Sequence, residues 1–560
     1  MLIQLLSSLA PAAKEHANTL CAVLASLSLA QLCALLWARN ARRRRTDAAS
    51  PPQEPEAHLR NLRRVGVRRS NMADQYDAAF GIPEDAAGAA GDPSLAEGWA
   101  GRRPRVKALF LHPVKSCAPV EVESAVLLKR GFEHDRCFAL AVQKRPKPGK
   151  GDADGDGKDG EGEGGAEWRF VSQRTKPMMA RIATELWFPR RGDAAAGGTG
   201  EDDRDGGDRD GDDLVRAGGC VVLRFRDPDA PDDASTTDDV SSRTTTKPSS
   251  PVSATAAATI SLTVPLRPTA EMLRAHGIRR RPFGIHDRTA VGLDMSPFPS
   301  VASALPKLKR FLKLPEHHGL ALLSCNGTAS DSDGNDDGGN EDAMLSRTSG
   351  NLAPLRHIGT PSVHGYTDDQ PLNVNSLASV HAVSALLPPG GVRPLNALRF
   401  RANVWVAGSP AFDEETWKRF RFVPPPPTAD DDGDDADGRS RRRVCATISA
   451  VCRTSRCTMP NVDPDRGVMC AGDPPPGRKK GRPQPSATLV EHRSIDDGNK
   501  GALGFLGVHC VPEDRSLAEA AAAAARRGAG SGAGLVVRVG DEVEVLERGT
   551  HLFGSTANEY

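Results

Sequence analysis

The chain has 560 residues, of which 38% are hydrophobic, and it carries 55 Gly and 43 Pro. That length admits several domains, but the composition leaves much of the chain outside any core. Lys and Arg number 73 against 72 Asp and Glu, and the charges fall in opposed local runs that offer no basic face, which excludes nucleic acid as a partner.

Near the start, Thr19 to Ala38 is an apolar stretch of Leu, Ala, Val, Ser and Cys interrupted by the single amide Gln31 and followed at once by RNARRRR. Its length suits a bilayer span. A secretory signal would carry positive charge before the apolar stretch, whereas here Arg39 and Arg42 to Arg45 follow it. The positive-inside rule then puts the bulk of the chain in the cytosol. A cleaved presequence or a buried helix is the alternative. The 11 cysteines, odd in number and widely spread, do not form the pattern of a small secreted disulfide scaffold and suit a reducing compartment.

Residues 46–102 have the Pro, Ala, Asp and Arg content of a linker. From Arg105 three short runs, VKALFLHPV, VEVESAVLL and HDRCFALAVQ, have the spacing of an all-β unit. A Gly, Asp and Lys run at 146–166 interrupts it, after which WRFVSQR and MMARIATELWF resume the strand pattern. Similar interruptions recur at 192–213, 227–255, 326–350, 424–443, 471–487 and 517–534. Loop closure entropy grows only logarithmically with length, so a β core can carry such insertions. Helices are predicted at Val301 to Leu314 and around Ser376 to Leu387. Asp152, Asp154, Asp156, Gly157 and Glu163 match the spacing of a calcium loop, but PKPGKG and GGAEW flank them where helices would be needed, so calcium is rejected.

The expected class is mainly β with few helices. The predicted organisation is an anchor with its basic flank over 1–45 and a linker over 46–102. A first β domain covers 103–325, an insertion 326–350, a second β domain 351–550 and a tail 551–560.

Chemistry-bearing residues fall in two clusters. Cys452 and Cys457 enclose Arg453 and Arg456, after the apolar run VCATISAV and before the turn NVDPDRG. Neighbouring guanidiniums favour the thiolate, which serves a nucleophile or a soft-metal ligand. Cys445, Cys452, Cys457 and Cys470 lack paired zinc spacings. Inert burial of both thiols stays open on these residues alone. The second cluster is HPVKSC, GFEHDR and SQR, three cationic strand ends whose convergence on a phosphate-bearing cofactor is the expectation.

Taken in order, these segments resemble the MOSC family, the molybdenum-cofactor sulfurase C-terminal type. Within it they resemble the branch containing the mitochondrial amidoxime reducing component and its fungal-type relatives. LHPVKSC, HDRCFAL, SQRTKPMMA, RFRANVWVAG with AFDEETWKRFRF, RTSRCTMPNVDPDRGVM, LVEHR and GFLGVHC with VRVGDEVEVLE match the family's motifs from about Arg105 to Leu546. The resemblance implies a β-barrel MOSC core with an N-terminal β-rich subdomain clasping a molybdopterin. It makes Cys457 the molybdenum ligand and catalytic centre. It gives Lys115, Ser116, Arg136, Arg174, Asp368, Arg401 and Asn403 to the pterin and its phosphate. Where relatives carry an Asp-Thr-Ser-Pro turn this chain has YTDDQP, and His492 stands where Tyr is usual.

The implied activity is reduction of amidoximes and hydroxylamines by an anchored molybdoenzyme. Cytochrome b5 and NADH-cytochrome b5 reductase are the implied donors, and the mitochondrial outer membrane is expected ahead of the endoplasmic reticulum. No dinucleotide fingerprint or iron-sulfur cysteine run is built in, consistent with an external donor. The alternatives are a sulfur carrier with a persulfide on Cys457 and a non-catalytic cofactor-binding module.

Overall fold

The computed structural model describes residues 56–83, 103–143, 167–190, 209–230, 258–286, 288–326, 346–347, 355–388, 392–425, 444–470, 481–498, 503–526 and 535–552. The apolar stretch at Thr19 to Ala38 and the calcium-like run both lie outside these residues. Among the described residues no helix is long and apolar enough to cross a membrane.

Two compact units divide the chain, Met1–Arg60 and Asn61–Tyr560. In the first, Ala57–Leu59 forms a 3-10 turn. The second is mainly β, as its alternating apolar pattern requires. Its largest sheet has eight strands, in the order Val404–Ala407, Leu372–Ser376, Gly504–Pro512, Ala446–Arg456, Trp417–Val423, Glu542–Arg548, Arg105–Leu111 and Val120–Val122. An additional pairing of Val404–Ala407 with Arg105–Leu111 brings the sheet back on itself. A separate closed barrel joins Arg280–Ile285, Arg288–Asp294, Gly319–Ser324, Phe138–Gln143 and Trp168–Phe170. Strand Arg105–Leu111 thus belongs to the sheet built mostly by C-terminal strands, although it lies at the start of the first expected β domain. The sheets interleave the two halves of the sequence instead of dividing near residue 325.

Both predicted helices form, as Pro299–Phe311 and Leu377–Leu386. Three expectations need correction. The stretch 46–102 is not all linker: Leu62–Val65 pairs antiparallel with Ala183–Pro189, and Leu62, Met72 and Ile82 are buried. These scattered apolar residues are too few to fold alone but enough to dock on an existing sheet. Part of the 517–534 tract is helix Asp514–Arg526, because its Ala run has the highest helix propensity and Ser516, Ala520 and Ala524 recur every fourth residue on one buried face. The MMAR segment is a 3-10 turn, Pro177–Arg181, opened by a proline whose fixed φ suits a helical first turn.

Two adjacent carboxylates, Glu414 and Glu415, are buried in the 3-10 turn Asp413–Thr416. Glu414 accepts from Ser379 Oγ at 2.8 Å and from the Ser376 N–H at 3.2 Å. Burial, and then the Glu415 charge, push its pKa up to about 8. A carboxyl raised in the fold favours the native state while protonated. Its contribution is therefore fully present below the unfolded value of 4.5 and is lost as pH rises to about 8. Glu414→Gln should remove one proton's share of that slope, about 1.4 kcal/mol per pH unit. Urea midpoints from pH 5 to 8 measure it, and equal slopes in both proteins would rule the effect out.

Candidate functional site

The strand ends that carry the predicted residues converge on one cleft of about 760 Å³, counting the space at its mouth. Lys115 and Ser116 lie in the turn after strand Arg105–Leu111, where the Lys115 N–H donates to the Phe138 carbonyl at 2.7 Å. Arg136 sits in the turn before strand Phe138–Gln143, held by its own N–H to the His112 carbonyl at 2.8 Å. Arg401 and Asn403 precede strand Val404–Ala407, Asp368 lies in the turn before strand Leu372–Ser376, and Cys457 directly follows strand Ala446–Arg456.

Side chains lock these turns together. Arg136 Nη1 donates to Asn403 Oδ1 at 3.2 Å and its Nη2 to the Arg401 carbonyl at 3.0 Å. Arg401 Nη1 donates to the Cys117 carbonyl at 2.7 Å. Lys115 Nζ donates to the Tyr366 carbonyl at 3.0 Å and pairs with Asp368. Burial alone would raise the Asp368 pKa; the Lys115 ammonium, with His286, overrules it and holds the carboxyl well below the usual range.

The backbone is strained here. Ser116, Arg136 and Arg401 have φ of +67°, +48° and +53°, values that non-glycine residues rarely adopt. Each costs on the order of 1 kcal/mol, and such residues concentrate at functional sites.

One predicted residue stays out. Arg174 does not line the cleft; its Nη2 lies 3.3 Å from His286 Nδ1, and His286 Nε2 in turn lies 2.8 Å from Asp368 Oδ1 at the rim. Arg174 falls in the turn after strand Trp168–Phe170, one layer outside the expected position. His286, at the tip of the hairpin between Arg280–Ile285 and Arg288–Asp294, is the rim group that sequence reasoning missed. The expectation that both arginines flank Cys457 is also corrected. Arg453 turns away to Asp496 at 3.1 Å and Glu415 at 3.3 Å, while Arg456 lines the cleft. His492 is solvent-exposed at the end of helix Ser486–Arg493 and is not a cleft residue.

Arg399, Phe400, Thr367, Asp369, Asn373, Thr454 and His509 also line the cleft without having been assigned a role. Arg399 stands in RFRANVWVAG beside the chosen Arg401, but the 3-10 turn Ala397–Phe400 rotates it into the wall.

The electrostatics are one-sided. Of the lining cations, Lys115 pairs with Asp368, Arg136 with Asp135 and Arg399 with Asp463 at 3.0 Å, which leaves Arg401 and Arg456. Arg456 is buried and donates to the carbonyls of Leu506 at 2.6 Å and Phe400 at 3.0 Å, and to Asn373 and Asn375 Oδ1 at 3.2 and 2.9 Å. Burial lowers the pKa of Arg456 and of Arg401 to about 10, so both remain charged at neutral pH. Among the described residues, their hydrogen bonds end on carbonyl and amide oxygens and not on carboxylates. Buried cations in that state call for an anionic ligand. The hydroxyls of Ser116 and Thr367, buried without a hydrogen-bond partner among the described residues, add two more groups for a ligand to satisfy. Cys457 contributes a thiol to the wall, and its Sγ is 3.4 Å from the Met459 N–H.

Comparison with known families matches residues 103–195 to the MOSC N-terminal beta barrel domain and residues 361–544 to the MOSC domain. The chain belongs to the MOSC-domain family. No curated protein matches it. MOSC domains are a molybdenum-cofactor-binding family, and the cleft fits such a group. The Arg401 and Arg456 guanidiniums and the hydroxyls of Ser116 and Thr367 suit a phosphate-bearing pterin, and the single thiol suits a metal that takes thiolate.

Proposed function

We propose that this MOSC protein is a membrane-anchored molybdenum-cofactor oxidoreductase that reduces N-hydroxylated substrates, amidoximes and hydroxylamines, with electrons from an external donor. The donor is cytochrome b5 with NADH-cytochrome b5 reductase, and the membrane is the mitochondrial outer membrane, with the cleft on the cytosolic side. The observation that carries the reading is the meeting, in one cleft, of the Cys457 thiol with the buried guanidiniums of Arg401 and Arg456, which have no carboxylate hydrogen-bond partner among the described residues.

In this reading Cys457 holds the metal, and Arg136, Arg401, Lys115 and Ser116 hold the pterin and its phosphate. The bound group supplies two-electron chemistry at the substrate's N–O bond. Reduction of an amidoxime takes two electrons and two protons, breaks that bond and releases the oxygen as water. The chain's own part is binding and proton supply. His286 sits on the solvent-facing rim with Nε2 on Asp368 Oδ1, and Asp368 reaches Lys115 inside, a continuous path for the incoming protons.

The test is the purified full-length protein with metal analysis, pterin fluorescence and benzamidoxime reduction in the presence of cytochrome b5, its reductase and NADH. One molybdenum per chain and NADH-dependent formation of benzamidine are expected. Molybdenum without turnover would leave a binding module. A persulfide on Cys457 without molybdenum would leave a sulfur carrier.

A further inference from the structure

Residues 61–83 lie outside both stretches matched to the family and form a strap on the second unit. The strap is tied down along its length. Strand Leu62–Val65 pairs with Ala183–Pro189, the Val67 N–H donates to the Glu121 carbonyl at 3.0 Å, and the Asn71 N–H donates to Glu121 Oε1 at 2.7 Å. Further on, Met72 and Ile82 bury their side chains in one cluster with Leu377, Ala397 and Phe400. Gln75, itself buried, joins two elements there. Its carbonyl accepts from His381 Nε2 on helix Leu377–Leu386 at 2.8 Å, and its side-chain Oε1 accepts from the Ala397 N–H at 2.8 Å. Ala397 opens the 3-10 turn Ala397–Phe400, and the first N–H groups of a helical turn have no partner within it. Gln75 therefore caps that turn from elsewhere in the chain, beside Asn396, whose Oδ1 takes the Leu398 N–H at 2.9 Å.

The turn that Gln75 caps carries part of the cleft wall, since Arg399, Phe400 and Arg401 all line the cleft. Arg399 reaches the loop after Cys457, donating to the Pro460 carbonyl at 3.3 Å and to Asp463 Oδ2 at 3.0 Å. The Phe400 carbonyl receives Arg456, and Arg401, at φ +53°, has its N–H on the Leu398 carbonyl at 3.2 Å. We propose that the strap is a positioning element of the cleft and Gln75 its positioning residue, acting through the Ala397–Phe400 turn on Arg399 and Arg401. Gln75 does not itself line the cleft, so its influence on a bound group passes through the turn. A left-handed residue such as Arg401 persists only where its surroundings over-determine it, and Gln75 supplies one such constraint from 322 residues away along the chain. Without Oε1 the Ala397 N–H loses its acceptor, and the turn that aims the two guanidiniums loosens. The effect on cofactor retention rests on the reading of the cleft as a molybdenum-cofactor site, whereas the effect on the turn does not.

The experiment compares the full-length wild type with Gln75→Met, which keeps the reach of the side chain without the acceptor, and Gln75→Glu, which keeps an acceptor oxygen. Leu308→Ala, a buried truncation on helix Pro299–Phe311, no residue of which lines the cleft, is the control for lost stability. Amide hydrogen exchange on the purified proteins should be faster at Ala397 and Arg401 in Gln75→Met by about two- to tenfold, the worth of one hydrogen bond, and should return toward wild type in Gln75→Glu. Pterin dissociation, followed by fluorescence, should be faster in Gln75→Met by a similar factor. Leu308→Ala, although it unfolds at lower urea, should keep the wild-type dissociation rate. Exchange at Ala397 and Arg401 unchanged in Gln75→Met, or pterin lost from Leu308→Ala as fast as from Gln75→Met, overturns the proposal. Wild-type protein that holds no pterin overturns the cofactor reading instead, and the exchange comparison then decides the role of Gln75 by itself.

Discussion

Cys457→Ser should purify as folded protein without molybdenum and without benzamidoxime turnover. Molybdenum takes an anionic thiolate in preference to a serine hydroxyl, which stays protonated at neutral pH. Loss of a partner outside the ligand set costs about 10- to 100-fold in affinity, and loss of the one ligand should exceed that. The fold has little reason to respond. The Cys457 side chain is half-buried at a strand end, and its only hydrogen bond among the described residues, from the Met459 N–H at 3.4 Å, is one that a serine oxygen also accepts. The melting transition should therefore stay within about 0.5 kcal/mol of wild type. Cys452→Ser is the control. Cys452 is buried among apolar neighbours, and burial pushes its thiol well above the ordinary range, so it offers no thiolate. Metal content should survive in that variant. Molybdenum retained at wild-type level in Cys457→Ser would remove Cys457 from the ligand position.

The sequence carried the cleft's frame further than its lining. Lys115, Ser116, Arg136 and Cys457 were legible because each sits at the end of a short apolar run, where a β fold presents side chains to a site, whereas Asp368, Arg401 and Asn403 followed only from the resemblance to the MOSC family. Arg174 shared that signature, but its short strand, Trp168–Phe170, belongs to the separate closed barrel, which holds it one layer out. His509 was invisible for the opposite reason. All nine residues of Gly504–Pro512 are buried, so the alternation that distinguishes the two faces of a strand is missing. Arg399 was hidden by a helical turn in a stretch that reads as extended. The missed helix at Asp514–Arg526 shows the limit of reading composition alone. An Ala and Arg tract resembles a disordered insertion until a buried face is available to receive every fourth residue.

Glu415→Gln should be the most destabilising single change among the buried charges. Glu415 is 3% exposed and accepts from Arg493 Nη2 at 2.6 Å and from the Gly507 N–H at 3.3 Å, with Arg453 Nε also at 3.3 Å. Arg453 keeps Asp496 when the charge is removed, but Arg493 is 7% exposed and stacked 3.6 Å over Phe412, with no carboxylate left to face. Breaking a buried ion pair on one side costs about 3–5 kcal/mol, because the remaining charge has been taken out of water without compensation. Urea unfolding should show that loss as a lower midpoint with an unchanged slope. Replacing both partners, Glu415→Leu with Arg493→Met, should recover more than half of it, since an apolar pair leaves no stranded charge. The consequence reaches the cleft. Arg453 stands four residues before Cys457, and Gly507 two residues before His509. Gly507 has φ +77°, and a Cβ on it would come within 1.7 Å of Asn375 Oδ1, the same atom that accepts from Arg456. Glu415 thus ties the strand that presents Cys457 to the strand that presents His509. Loosening it should lower molybdenum retention in step with stability. A Glu415→Gln protein as stable as wild type would show that the ties between these strands lie elsewhere.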